Sequence, residues 1–188
     1  KKQLKLTLLS CLLSIPAITQ AGPKDDIYRK GWIDFNKNGK MDIYEDPSAP
    51  IEERVKDLLS QMNMDEKTCQ MATLYGSGRV LADALPTEIW KDGIGNIDEE
   101  HNGLGKFGSE YAFPYAKHVK AIHDIQRWFV EETRLGIPVD FTNEGIRGVC
   151  HEKATFFPAQ CGQGSTWNKE LIARIGEVEA KEAVALGY

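Results

Sequence analysis

The chain has 188 residues, 41% hydrophobic and 27% charged, the composition of an ordinary globular protein with enough apolar material for a substantial core. Its formal net charge is -5, and the absence of a basic patch or stripe excludes a nucleic-acid footprint. The apolar run near the N-terminus is too short to span a bilayer.

Residues 1–21 read as a signal peptide. KKQLK is a basic n-region, LTLLSCLLSIPAI an apolar h-region, and Thr19-Gln20-Ala21 a small-x-small cleavage site. Cleavage before Gly22 predicts an exported protein, periplasmic or secreted, with no transmembrane segment. Cys11 leaves with the leader, so Cys69, Cys150 and Cys161 remain, an odd number that cannot all pair within the chain. Cys150 and Cys161 could close a loop; unpaired thiols are an equal alternative.

Residues 22–49 form an N-terminal extension whose core, DFNKNGKMDIYE (34–45), matches the EF-hand calcium loop at every defined position. Asp34, Asn36 and Asn38 stand at the first, third and fifth ligand positions. Lys40 would offer its backbone carbonyl, Asp42 would act at the ninth position, and Glu45 would bind bidentately. Hard oxygens at alternate positions suit Ca2+, and Gly39 supplies the sharp turn. Asp46-Pro47 stops the exit helix almost at once, so the expectation is a lone structural calcium loop. A polar Asx-rich turn without metal is the alternative.

From Pro50 the spacing predicts a helix through Met62, with Ile51, Val55, Leu58, Leu59 and Met62 on one face. Asn63 and Glu66 form a capping box that opens a second short helix, MDEKTCQM. ATLYG reads as a first strand, LPTEIWKD (85–92) as a short helix and GIGNIDE as a second strand. A long helix begins at Pro114 and ends at Arg134. Its stripe is Tyr115, Val119, Ile122, Ile125 and Phe129, while Glu131 is solvated and His118 and His123 are surface or cap residues. Gly136 and Pro138 then end it.

Ile137 to Phe141 reads as a third strand, and Thr142-Asn143-Glu144 places polar groups at its C-terminal end. Asn168 caps a final helix carrying Leu171, Ile172, Ile175 and Val178. Three helix-strand alternations predict an α/β fold with parallel strands. A closed (β/α)8 TIM-type barrel takes about 250 residues, so this chain reads as the incomplete first part of one. Loops at the C-terminal ends of parallel strands converge where chemistry occurs, which singles out Glu144.

The run APIEERVKDLLSQMNMDEKTCQM, the strand GIPVDFTNEGIRGV and the segment ATFFPAQCGQGSTWNKELIARIGEVEAKEAVALG, in that order, resemble the N-terminal barrel domain of glycoside hydrolase family 3, the β-glucosidase and β-xylosidase group. The resemblance covers 50–188. It implies an exo-acting retaining β-glycosidase acting on a β-linked oligosaccharide or glycoside. It also implies that Glu144, three residues before the usual His-Gly, accepts hydrogen bonds from sugar hydroxyls beside the scissile bond.

Arg147 stands where that family has His, and Glu144 where Asp is commoner. A charged fork at 147 suggests a salt bridge, with Glu144 as one candidate partner. The family's nucleophilic Asp and its acid/base align with no residue here, and Asp140, alternating with apolar neighbours, is not nominated. The chain alone is therefore expected to be an inactive N-terminal fragment without a catalytic residue. A non-catalytic, calcium-stabilised sugar-binding or interaction protein is the alternative.

Overall fold

The computed structural model describes residues 26–76, 90–99 and 111–188. The signal-peptide reading of 1–21 lies outside the described residues, as does most of the helix read at 85–92. No helix among the described residues is long and apolar enough to cross a membrane.

Strands β1 (Tyr28–Arg29) and β2 (Trp32–Ile33) form an antiparallel hairpin around Gly31, whose φ of 88° suits a residue without a side chain. Loop 34–42 and a 3-10 turn (Ile43–Glu45) lead to helix α1 (Ile51–Gln61). The turn and α1 are stitched together: the Tyr44 N–H donates to Asp57 Oδ2 at 3.0 Å, and Arg54 Nε donates to Tyr44 O at 3.0 Å. Helix α2 (Met64–Cys69) starts with the expected capping box. The Glu66 N–H donates to Asn63 Oδ1 and the Asn63 N–H to Glu66 Oε2, both at 2.8 Å.

The central sheet is parallel, in the order β3 (Thr73–Tyr75), β4 (Asn96–Asp98), β5 (Asp140–Thr142). The architecture of the described residues is thus mixed α/β, as read from the alternation. Leu74, Ile97 and Phe141 are in register on one face and pack with Ile94, Val139, Trp90 and Trp128 against Ile125 and Phe129 of helix α3 (Tyr115–Glu132). Ile97, Ile125 and Phe129 are fully buried, so this layer is the core. Helices α4 (Gln160–Gly164) and α5 (Lys169–Leu186) follow, and Asn168 caps α5 by accepting from the Leu171 N–H at 2.9 Å.

Three expectations are corrected. The third strand is not 137–141 but Asp140–Thr142, because the Gln126 amide takes both backbone groups of Val139. It accepts the Val139 N–H at 2.8 Å and donates to Val139 O at 2.9 Å, so strand pairing starts one residue later. His118 is no surface residue: it is fully buried, its ring centroid 5.1 Å from that of His151 and 5.8 Å from that of Tyr188. Glu131 is buried rather than solvated, accepting from Tyr28 OH at 2.8 Å and Arg127 Nε at 3.2 Å. In the last two cases α3 is covered on more than its sheet-facing stripe, by the chain end and by the N-terminal hairpin.

The end of α3 also differs from the simple glycine stop. Gly136 does take a left-handed φ of 57°, but the helix stops at Glu132. Its last carbonyls are met by Lys37, whose Nζ donates to Val130 O at 2.8 Å and Thr133 O at 2.5 Å. The N-terminal extension is thereby docked on the helix that backs the sheet.

Candidate functional site

Alternate residues of a strand face opposite ways, so the face of the sheet opposite Leu74, Ile97 and Phe141 carries Thr73, Tyr75, Asn96, Asp98, Asp140 and Thr142. That face is polar and internally bonded. Thr142 Oγ1 donates to Asp98 Oδ1 at 2.8 Å, and Asn96 Nδ2 donates to Asp140 Oδ2 at 3.2 Å. Because all three strands run parallel, their C-terminal ends share one edge, where Tyr75, Asp98, Glu99 and Thr142 to Glu144 meet.

Glu99 is at the centre of that edge and only 1% exposed. Its N–H donates to Thr142 O at 2.9 Å, and its carboxylate accepts from the Tyr75 hydroxyl. The hydrogen bond to Glu99, with burial beside it, pushes the Tyr75 phenol up to about 12. Burial first, then Glu99, pushes the Cys150 thiol up to about 12. Both groups therefore stay protonated at neutral pH, and the Tyr75 hydroxyl serves as a donor to Glu99.

Glu144 lies two residues past β5 on an exposed loop. Asn143 closes that loop: its Oδ1 accepts the Cys150 N–H at 2.7 Å and its Nδ2 donates to Cys150 O at 3.1 Å. Beyond it, Gly148 has φ 98°, and a Cβ there would stand 1.9 Å from Thr155 O. The Gly148 N–H donates to Glu179 Oε1 of α5 at 2.8 Å, the Phe157 N–H to Arg147 O at 2.8 Å, and Glu182 accepts from the Thr155 N–H and hydroxyl. Arg147 is exposed and, among the described residues, makes no ion pair with Glu144, so the salt bridge suggested by its charge is not formed. Cys150 and Cys161 are not joined by a disulfide.

The acidic groups at this edge are Asp98, Glu99 and Glu144, with Arg147 exposed on the same loop as Glu144. Such carboxylates offer acceptors to neutral hydroxyl-rich ligands. The Tyr75 ring, 51% exposed, adds an aromatic surface for the apolar side of a sugar ring. Sequence reasoning chose Glu144 but missed Tyr75, Asp98 and Glu99. The rule that chose Glu144, a polar residue closing a parallel strand, would have found them at the ends of ATLYG and GIGNIDE.

The second predicted site, loop 34–45, is folded on itself. Asp34 is buried, and its carboxylate accepts the N–H groups of Asn38 at 3.0 Å and Gly39 at 2.9 Å. Glu45, also buried, accepts those of Asn36 at 3.2 Å and Asp42 at 2.9 Å. The Asn36 and Asn38 amides donate to Asp42 Oδ2 at 2.5 and 2.7 Å, and the Lys40 N–H donates to Asn38 Oδ1 at 2.7 Å. Among the described residues no three His, Cys, Asp or Glu side chains gather as for a metal ion.

Residues 51–188 match the family described as glycosyl hydrolase family 3 N terminal domain. The chain is 31% identical over 148 residues to a "Putative beta-xylosidase" of Formosa agariphila, covering 74% of this chain and 18% of that protein. It is 24% identical over 185 residues to a "Periplasmic beta-glucosidase/beta-xylosidase" of Dickeya chrysanthemi, covering 90% and 27%. The chain thus spans about a quarter or less of the length of these relatives. Among solved structures, an exo-1,3/1,4-beta-glucanase from a Pseudoalteromonas species superposes with a TM-score of 0.55 at 23% identity, over 84% of this chain and 24% of that one.

Proposed function

The chain belongs to glycosyl hydrolase family 3, and from that membership we propose that it is the incomplete first part of a (β/α)8 barrel in an exo-acting retaining β-glycosidase. The observation that carries this reading is the strand-end edge, where Glu144 stands exposed on a pinned loop beside Tyr75 and a set of carboxylates. A carboxylate there accepts two sugar hydroxyls at once, more strongly than a neutral acceptor would. The substrate is a β-linked glucoside or xyloside, in keeping with the names of its relatives. Arg147, exposed on the same loop, is free to reach a sugar hydroxyl as a donor.

A retaining mechanism needs a nucleophile and an acid/base with carboxyl groups about 5–5.5 Å apart. We assign neither role to a residue of this chain, and the chain by itself is inactive on this reading. Export to the periplasm or the medium follows from the leader at 1–21. In the full-length natural protein, Glu144→Ala lowers kcat/KM on an aryl β-glucoside or β-xyloside about 10- to 100-fold, the worth of one charge-assisted hydrogen bond. An unchanged kcat/KM removes Glu144 from the sugar site. Hydrolysis by the isolated 188-residue chain, abolished by Glu144→Ala, overturns its inactivity.

Loop 34–45 we take as a structural Ca2+ site. Its support is the hydrogen-bond pattern: the first carboxylate holds the N–H of the glycine turn, and the third and fifth side chains fold inward toward Asp42. Turning the Asn36 and Asn38 amides over would present carbonyl oxygens, together with those of Asp34, Asp42, Glu45 and the Lys40 carbonyl, to a hard cation.

A further inference from the structure

Thr142 is the last residue of β5 and His151 is fully buried, so the loop between them leaves and re-enters the fold at two fixed points. Thr142 O accepts the Glu99 N–H at 2.9 Å, and His151 Nε2 lies 2.9 Å from Ala112 O. Across the neck of the loop Asn143 makes three hydrogen bonds. Its Oδ1 accepts the Cys150 N–H at 2.7 Å and the Gly145 N–H at 3.3 Å, and its Nδ2 donates to Cys150 O at 3.1 Å. Two N–H groups meeting one end of the amide and a carbonyl meeting the other fix which way the amide points. The bond to Gly145, two residues on, makes a turn with Glu144 at its centre, and Gly145 completes it in the left-handed region at φ 59°. The Glu144 side chain is exposed, so its direction is set by the backbone that Asn143 holds.

We propose that Asn143 is a positioning residue for Glu144: it fixes the turn that aims the carboxylate at a sugar hydroxyl. The functional half of this inference rests on the glycosidase reading. Asn143 acts through the backbone, because its amide is committed to Gly145 and Cys150. Asparagine suits the position because it is short enough to bond its own backbone two residues on, and because it carries an acceptor and a donor together. Alanine loses all three bonds, and serine keeps at most the short one to Gly145.

The test uses the full-length natural protein. Asn143→Ala lowers kcat/KM on an aryl β-xyloside or β-glucoside about 10-fold or more when Glu144 is present, and less than about 2-fold when combined with Glu144→Ala, since a carboxylate that is gone cannot be misplaced. A loss of the same size in both backgrounds is a general structural effect and overturns the proposal. Independently of activity, Asn143→Ala speeds hydrogen exchange at the Cys150 amide about 10-fold or more, because that N–H loses its acceptor. An unchanged exchange rate also overturns it.

If Asn143→Ala does not fold, Asn143→Ser replaces it in both backgrounds, with an expected loss of about 3-fold or more where Glu144 is present and an equal loss, or none, as the overturning result. A wild-type protein that cleaves neither glycoside defeats the glycosidase reading, while the exchange rate still decides whether Asn143 holds the loop.

Discussion

Two polar loops among the described residues, 34–45 and 143–150, are held by different means. In the first, Asp34, Asn36, Asn38, Asp42 and Glu45 bond almost entirely to amides within the same stretch. The second is gripped largely from outside, Gly148 by Glu179 of α5 and Arg147 by Phe157, with Asn143 the local clasp on Cys150. The ring of bonds inside 34–45 is its own, while Lys37 and Tyr44 tie the stretch as a unit to α3 and α1. A loop held by distant elements places its residues accurately only when those elements are in place, a support that the sugar-site proposal requires for Glu144.

The largest expected effect breaks the second loop alone. Gly148→Ala puts a Cβ 1.9 Å from a backbone oxygen at φ 98°, so both the contact and the dihedral are forbidden to it. Overpacking and backbone strain together cost about 3 kcal/mol or more, read as a lower urea midpoint. On the calcium proposal, the Ca2+ response of loop 34–45 stays intact in this variant. If Gly148→Ala is neutral, loop 143–150 is not pinned as described.

The same contrast explains what could be read from sequence. The sharp turn at Gly39, the Asn63/Glu66 box, the Asn168 cap and the long α3 all rest on residues within a few positions of one another, and each reading survived in the structure. So did the parallel alternation, because it depends on element order. The start of β5 did not, since it depends on a Gln126 side chain reaching Val139 from α3. Nor did the surface placement of His118, whose burial needs His151 and Tyr188 from across the fold. Glu144 was legible as the polar end of a strand, whereas its support by Tyr75 and Glu99 joins three strands that no local pattern connects.

Of intermediate size is the effect that tests the first loop. Asp34→Ala removes a buried carboxylate that accepts two N–H groups and lies 3.6 Å from Arg29, costing about 1–3 kcal/mol. On the calcium proposal the wild type binds Ca2+ in a calorimetric titration, and saturating cation at about ten times Kd adds about 1.4 kcal/mol of stability. Asp34→Ala abolishes both. Absence of heat near millimolar Ca2+ removes the proposal and leaves a purely hydrogen-bonded turn.

The smallest effect sits where local and distant support meet in one side chain. Glu66 caps its own helix through Asn63, yet it also binds Arg134, with Nε at 2.8 Å from Oε1 and Nη2 at 2.5 Å from Oε2. Burial alone would raise its pKa, but the Arg134 and Asn63 hydrogen bonds outweigh it and hold the carboxyl below the ordinary glutamate value. A lowered folded pKa means the stabilisation is fully present above the unfolded value of about 4.3 and is lost as pH falls through the folded pKa. Glu66→Gln keeps an acceptor for the cap and loses the ionic partner, so wild type exceeds it by about 1 kcal/mol at pH 7. That gap closes toward pH 3. A gap independent of pH would assign the stabilisation to the local cap and leave Arg134, whose side chain is 54% exposed, as a surface contact.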